Sequence, residues 1–157
     1  MAVGFYEPIL PHSATIYQRG TVNLPLKASQ TFKKGAPLVS NGGYYEEAGA
    51  APSTVAYIAA DNATSHASDG GAFCPAWPVT DDDLWIASFE DAFAIADNGG
   101  NFGLVKDTTS GFWFVDEGDT ADQVVLVRPV ETPSLGAVGD TKYRGLIKFQ
   151  AGNIAGY

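Results

Sequence analysis

Asp81, Asp82 and Asp83 form the densest run of potential metal ligands in the chain. A hard cation would take their oxygens, but such sites gather ligands from a loop with interleaved spacing. Adjacent carboxylates point to opposite faces on a strand and fan out on a helix. The run therefore reads as a solvated charge cluster. Asp61, His66 and Asp69 share one polar loop, yet one histidine with two aspartates matches no recognised metal spacing.

Cys74 is the only cysteine, with His12 or His66 available as a base. It is hemmed by Phe73 and Pro75 and no nucleophile signature surrounds it, so it reads as a small buried residue. Glycine pairs occur, but no phosphate loop with its lysine follows a strand. Trp77, Trp85 and Trp113 carry the remaining binding signal. Exposed and coplanar, they would stack on sugar rings; buried, they supply core area or an oligomer interface. The expectation is a chain with no catalytic residue, no cofactor and no metal, and one that is not an enzyme.

The elements that would position these residues are strands. Phe102 to Lys106, Phe112 to Val115 and Gln123 to Arg128 are short runs rich in aromatic and β-branched residues. The polar turns Asp107 to Gly111 and Asp116 to Asp122 separate them, and Pro129 closes the third. Turns this short predict an antiparallel meander, the centre of the domain. The consecutive apolar residues Val124, Val125, Leu126 and Val127 suit a strand covered on both faces, or a surface shared with another copy.

Upstream, Thr31 to Ser40 reads as a strand entry. Asn41-Gly42-Gly43 predicts a hairpin, because a type I′ turn needs positive φ at both central residues. Tyr44 to Ala48 returns from it, and Thr54 to Ala60 reads as a further strand. Asp61 to Gly71 is a small-residue loop, expected to be the most mobile. Phe73 to Val79 carries two prolines, which places it at a sheet edge or in a rigid connection. Leu84 to Phe89 has strand composition, although Trp85, Phe89, Ala92, Phe93 and Ala96 also recur at helical spacing. Thr141 to Gln150 alternates apolar and polar residues, as a half-exposed closing strand would.

Residues 1–24 differ. Phe5, Tyr6, Ile9, Leu10, Ile16 and Tyr17 follow neither a helical nor a two-residue period, and Pro8, Pro11 and Gly20 interrupt any helix. Apolar residues without a periodic face suit an extended arm that packs on a partner, or an edge strand along the same domain. The organisation expected is an N-terminal arm over 1–24, an all-β domain over 25–150, barrel-like or sandwich-like, and a short tail over 151–157.

The chain of 157 residues has the size of one domain, and 45% hydrophobic content is ordinary for a globular fold. Nine basic residues against eighteen acidic ones give a net charge of −9. Phosphate backbones and anionic membranes attract the opposite sign, so neither nucleic acid nor membrane is an expected partner. No apolar run approaches the ~20 residues that span a bilayer. The N-terminus lacks the basic and apolar regions of a secretory signal, which predicts synthesis and assembly in a cytoplasm.

The motifs follow a definite order. After the N-terminal arm, "QTFKKGAPLV" opens with a Lys-Gly bend and is followed by "NGGYYEEA" and "VAYIAADNATS". Ile58, Ala60 and Asp61-Asn62 form an Ile-x-Ala-x-Asp-like strand, with the acidic residue one position late. Gly103, Leu104, Asp107, Gly111, Trp113, Val115 and Asp116 form a Gly-Leu-x-x-Asp and Gly-x-Trp-x-Val-Asp hairpin. Gly145 and Phe149 end the series. This succession resembles the small capsid-decorating (cement) proteins of tailed bacteriophages. The resemblance runs from about Gln30 to Phe149.

It implies a structural virion protein on the outer capsid surface that bridges major capsid protein subunits, commonly as a homotrimer. It also implies that the N-terminal arm, with Phe5, Tyr6, Ile9, Leu10, Ile16 and Tyr17, contacts the capsid. The long loop Asp61 to Gly71 and the length of the arm depart from the pattern. The rival expectation is a carbohydrate-binding or host-adsorption module of a virion, built on the tryptophans.

Overall fold

A computed structural model describes residues 6–49, 54–90, 97, 99–118, 124–129, 144–150 and 154. Among them are eleven strands and one helix: β1 (Leu10–Pro11), α1 (Ala14–Arg19), β2 (Val22–Pro25), β3 (Pro37–Asn41), β4 (Tyr44–Glu47), β5 (Tyr57–Ala59), β6 (Phe73–Pro78), β7 (Trp85–Phe89), β8 (Asn101–Lys106), β9 (Trp113–Asp116), β10 (Val124–Pro129) and β11 (Arg144–Phe149). One sheet has the order β1-β7-β11-β10-β8-β9 and the other β2-β6-β5-β3-β4. The fold is all-β and sandwich-like, as the strand spacing predicts. The described strands divide between two sheets, and a β7–β9 pairing joins β9 at the end of the first back to β7.

The turns obey local chemistry. Asn41 pairs with Tyr44, leaving Gly42 (φ 62°) and Gly43 (φ 87°) as the two turn residues with the positive φ that a β-carbon resists. The β8–β9 hairpin pairs Lys106 with Trp113 and Gly103 with Asp116. Its turn is fastened by the Asp107 carboxylate, which accepts the Ser110 N–H at 2.8 Å, and by Gly111 at φ 79°.

The predicted meander breaks at its third strand. β10 pairs with β8, through Val124–Phe102 and Val125–Asn101, and with β11 on its other side. The free edge of β9 is already occupied by β7, in parallel, through Ser88–Phe114 and Phe89–Val115. With both edges of β9 paired, to β8 and to β7, the spatial order is β9-β8-β10. Between Leu126 and Arg128 the register slips by one residue, which makes Val127 a bulge.

Two strands sit deeper than their sequences suggest. β11 lies between β7 and β10, and Leu146, Ile147 and Phe149 are buried rather than half-exposed. β6 lies between β2 and β5 despite Pro75 and Pro78. Ladder geometry explains the tolerance. Pro75 faces the β5 side opposite Ala60, one residue past the end of β5, and its carbonyl still accepts the Ala60 N–H at 2.8 Å. Pro78 faces the β2 side, beyond the Val22–Ala76 pair where β2 begins. Each missing donor therefore falls where the neighbouring ladder has stopped.

The extended N-terminal arm is corrected for its described part. Tyr6 stacks on Phe114 with ring centroids 4.3 Å apart and planes 10° apart. The Glu7 N–H donates to Ser88 Oγ at 3.1 Å, Ile9 is fully buried, and β1 pairs with β7 through Leu10–Ile86 and Pro11–Trp85. α1 follows, ended by Gly20 at φ 73°. Six residues cannot hold a helix alone. Burial of Ile16 and contacts to Asp83 hold this one. β2 then enters the second sheet, so 6–25 is part of the domain. Phe5 lies outside the described residues.

Candidate interaction surfaces

The residues singled out for chemistry serve mainly as structure. Thr15 and Arg19, four apart on one face of α1, both bond to Asp83. Thr15 Oγ1 donates to Asp83 Oδ1 at 3.1 Å, Thr80 Oγ1 donates to Oδ2 at 2.7 Å, and the Arg19 guanidinium pairs with the same carboxylate. Burial pushes the Asp83 carboxyl upward, but the hydrogen bonds from Arg19, Thr80 and Thr15 outweigh it and hold the carboxyl below its ordinary value. Asp83 is thus the anchor of α1, not one third of a solvated charge run. Asp82 is exposed and Asp81 half-buried.

The loop Asp61 to Gly71 is pinned to the segment before β3. The Lys34 N–H donates to Asn62 Oδ1 at 2.8 Å, and Phe32 and Ala63 exchange backbone hydrogen bonds. Asp69 accepts the Ala28 N–H at 2.8 Å and the Lys27 ammonium at 3.0 Å, which lower its pKa. The His66 Nδ1 lies 3.3 Å from the Thr64 carbonyl. Asp61, His66 and Asp69 therefore have separate local tasks. Among the described residues, no three His, Cys, Asp or Glu side chains gather as metal ligands. Cys74 is buried beside the Asp61 carbonyl, and burial raises its thiol pKa, the opposite of an activated nucleophile.

The tryptophans form no exposed platform. Trp77, Trp85 and Trp113 are all buried, and Trp77 meets Trp85 edge-on at 6.4 Å. Of the residues assigned to the arm, Tyr6, Ile9 and Ile16 are buried in their own domain and Leu10 is half-buried against the core. Tyr6 packs on β9 and Leu10 pairs with β7, while Ile9 and Ile16 belong to the domain core, so these four are not a surface awaiting a partner. Tyr17 alone is largely exposed, at 59%. The backbones of Val124 and Val125 have partners on both sides, inside the sheet. The side chains of Val124, Val125, Leu126 and Val127 lie outside the described ones.

β2 pairs with β6 through Val22–Ala76 to Pro25–Phe73, and directly after it Leu26 bridges Tyr45 of β4, with the Lys27 N–H donating to the Tyr45 carbonyl at 2.8 Å. Among the described residues, the large exposed apolar ones are Val22 (45%) on β2, Phe73 (59%) on β6 opposite Pro25, and Tyr17 (59%) on α1; Val22 and Phe73, three pairs apart in the ladder, face opposite sides of the sheet. The Tyr17 hydroxyl donates to the Pro11 carbonyl at 3.1 Å, which orients the ring while leaving it open. Sequence reasoning found Tyr17 but did not single out Val22, within residues 1–24, or Phe73, at the start of a run placed at a sheet edge or in a rigid connection.

No family model, curated protein or solved structure matches this chain.

Proposed function

We propose that this chain is a structural virion protein that binds the outer surface of a phage capsid and stabilises it by bridging major capsid protein subunits. Its motif order from Gln30 to Phe149 carries the reading, and the exposed side chains of Tyr17, Val22 and Phe73 support it as contact points. Contact through such side chains replaces the extended arm as the means of attachment. Burying each of these side chains would contribute about 1.5 to 3 kcal/mol before ordering costs. Assembly takes place in the bacterial cytoplasm, and the bound form is a homotrimer.

The test adds the purified protein to capsids that lack decoration and images them by cryo-electron microscopy. Density at symmetry-related outer positions is expected, with three copies at each. The double variant Tyr17→Ser, Phe73→Ser should remain folded and lose most of the occupancy. Unbound capsids, or full occupancy by the folded double variant, would count against the reading or against this attachment surface, respectively.

A further inference from the structure

A pocket of about 290 Å³ opens where the turn before β3 meets the β8–β9 hairpin. Phe32 and Ala63 line it, both buried and joined to each other by backbone hydrogen bonds of 3.2 and 2.9 Å. Thr31, Asn62, Lys33 and Lys106 complete its wall. The Asn62 Oδ1 accepts the Lys34 N–H, and the Asn62 backbone N–H donates to Asp61 Oδ1. The lining is mainly apolar.

The rim is cationic. No Asp or Glu lines the pocket, although acidic residues outnumber basic ones two to one in the chain. Lys106 places one N–H on Glu47 Oε2 at 2.7 Å, and an ammonium has two further donors. Lys33 has no carboxylate partner among the described residues; its ammonium lies 5.1 Å from the Phe112 ring centroid. Its stem runs past Gly111, where an added β-carbon would meet the Lys33 methylenes at 3.5 to 3.6 Å. The lysine stem thus lies along the hairpin turn, in ordinary contact distance of Gly111.

We infer that this pocket binds a small organic carboxylate whose aromatic or branched aliphatic body rests on Phe32 and Ala63 while its carboxylate meets Lys33 and Lys106. The volume sits at the lower end of the range for ligand pockets, which limits the body to about one ring. A wholly apolar ligand would leave the ammonium groups desolvated without a partner, and a dianion would exceed the one uncompensated lysine in the wall. The inference is independent of the capsid reading.

The test titrates the full ¹⁵N-labelled chain with phenylacetate, and in parallel with phenylacetamide, its uncharged counterpart. Saturable shifts are expected at the amides of Phe32, Lys33, Ala63, Lys106 and Gly111. Loss of one charge-assisted contact should weaken binding roughly tenfold, both for Lys33→Gln with phenylacetate and for the wild type with phenylacetamide. Lys33→Arg should retain binding. Lys33 is exposed, so its variants should fold, and their spectra report it directly. Absence of saturable shifts up to roughly 10 mM would overturn the inference. So would equal affinity for the amide, which would mark a merely apolar groove, or equal affinity in Lys33→Gln.

Discussion

Glu47 on β4 accepts the indole N–H of Trp113 on β9 at 2.8 Å, so a single carboxylate ties one sheet to the other. Its second oxygen takes the Lys106 ammonium at 2.7 Å, and its own backbone N–H donates to Gln30 Oε1 at 3.0 Å. Trp113 is nearly fully buried, and its one polar atom would otherwise be left without an acceptor. The Glu47→Ala variant should therefore lose about 1.5 to 3 kcal/mol of stability, the usual scale for hydrogen bonds to a charged group. Urea denaturation followed by tryptophan fluorescence measures it. A loss under about 0.5 kcal/mol would show that the clamp is replaced by water at no cost.

Acid should release α1 first. An aspartate in an unfolded chain titrates at about 3.9, and Asp83 is held lower in the fold. The folded state thus prefers the ionised carboxylate. Its contribution is complete above about pH 5, declines as pH falls through the unfolded value, and is gone below the folded value. In Asp83→Asn this part of the acid dependence should vanish, and stability near neutral pH should fall by about 2 kcal/mol. Stability curves of the two proteins that stay parallel from pH 6 down to pH 3 would contradict the assignment.

Gly35 and Gly42 both have positive φ but should respond differently to alanine. At Gly42 (φ 62°) an added β-carbon meets nothing within 4 Å, so only backbone strain of about 1 kcal/mol applies. At Gly35 (φ 88°) the same atom would lie 2.5 Å from the Ile9 nitrogen and 2.9 Å from the Pro8 Cα. The N-terminal segment crosses directly over this turn. Gly35→Ala should cost about 2 to 4 kcal/mol, strain and overpacking together, and speed proteolysis near Pro8. Equal melting temperatures for the two variants would refute the difference.

Phe112 and Phe114 are two residues apart on the same hairpin and separate cleanly. Phe114 is buried under the Tyr6 ring, whereas Phe112 is only half-buried beneath Lys33. Truncating Phe114 to alanine should cost about 3 kcal/mol or more, and truncating Phe112 about 1. Tyr6→Ala should reduce the penalty of Phe114→Ala in a double-mutant cycle, because the two rings share one contact.

What the sequence determined alone was local. The glycine pair at Gly42-Gly43 specifies its hairpin because only positive φ closes a two-residue turn. The Asp107–Gly111 turn specifies the β8–β9 pairing for a related reason, and the β-branched and aromatic runs specify strands. Burial of Cys74 could also be read from its flanking residues. Tertiary structure decided everything that depends on which edge or face remains free. β10 pairs with β8 while β7 holds the other edge of β9, and no property of Val124 to Val127 encodes that. Tyr6, Ile9 and Ile16 look aperiodic because their burial comes from several surfaces far away in the chain, among them β7, β9 and the Gly35 turn, not from one face of a regular element. Asp83 looks like its neighbours until Thr15 and Arg19 arrive from 68 and 64 residues away. Local propensity acts over a few residues, whereas edges and buried charges are assigned only once the whole chain has closed.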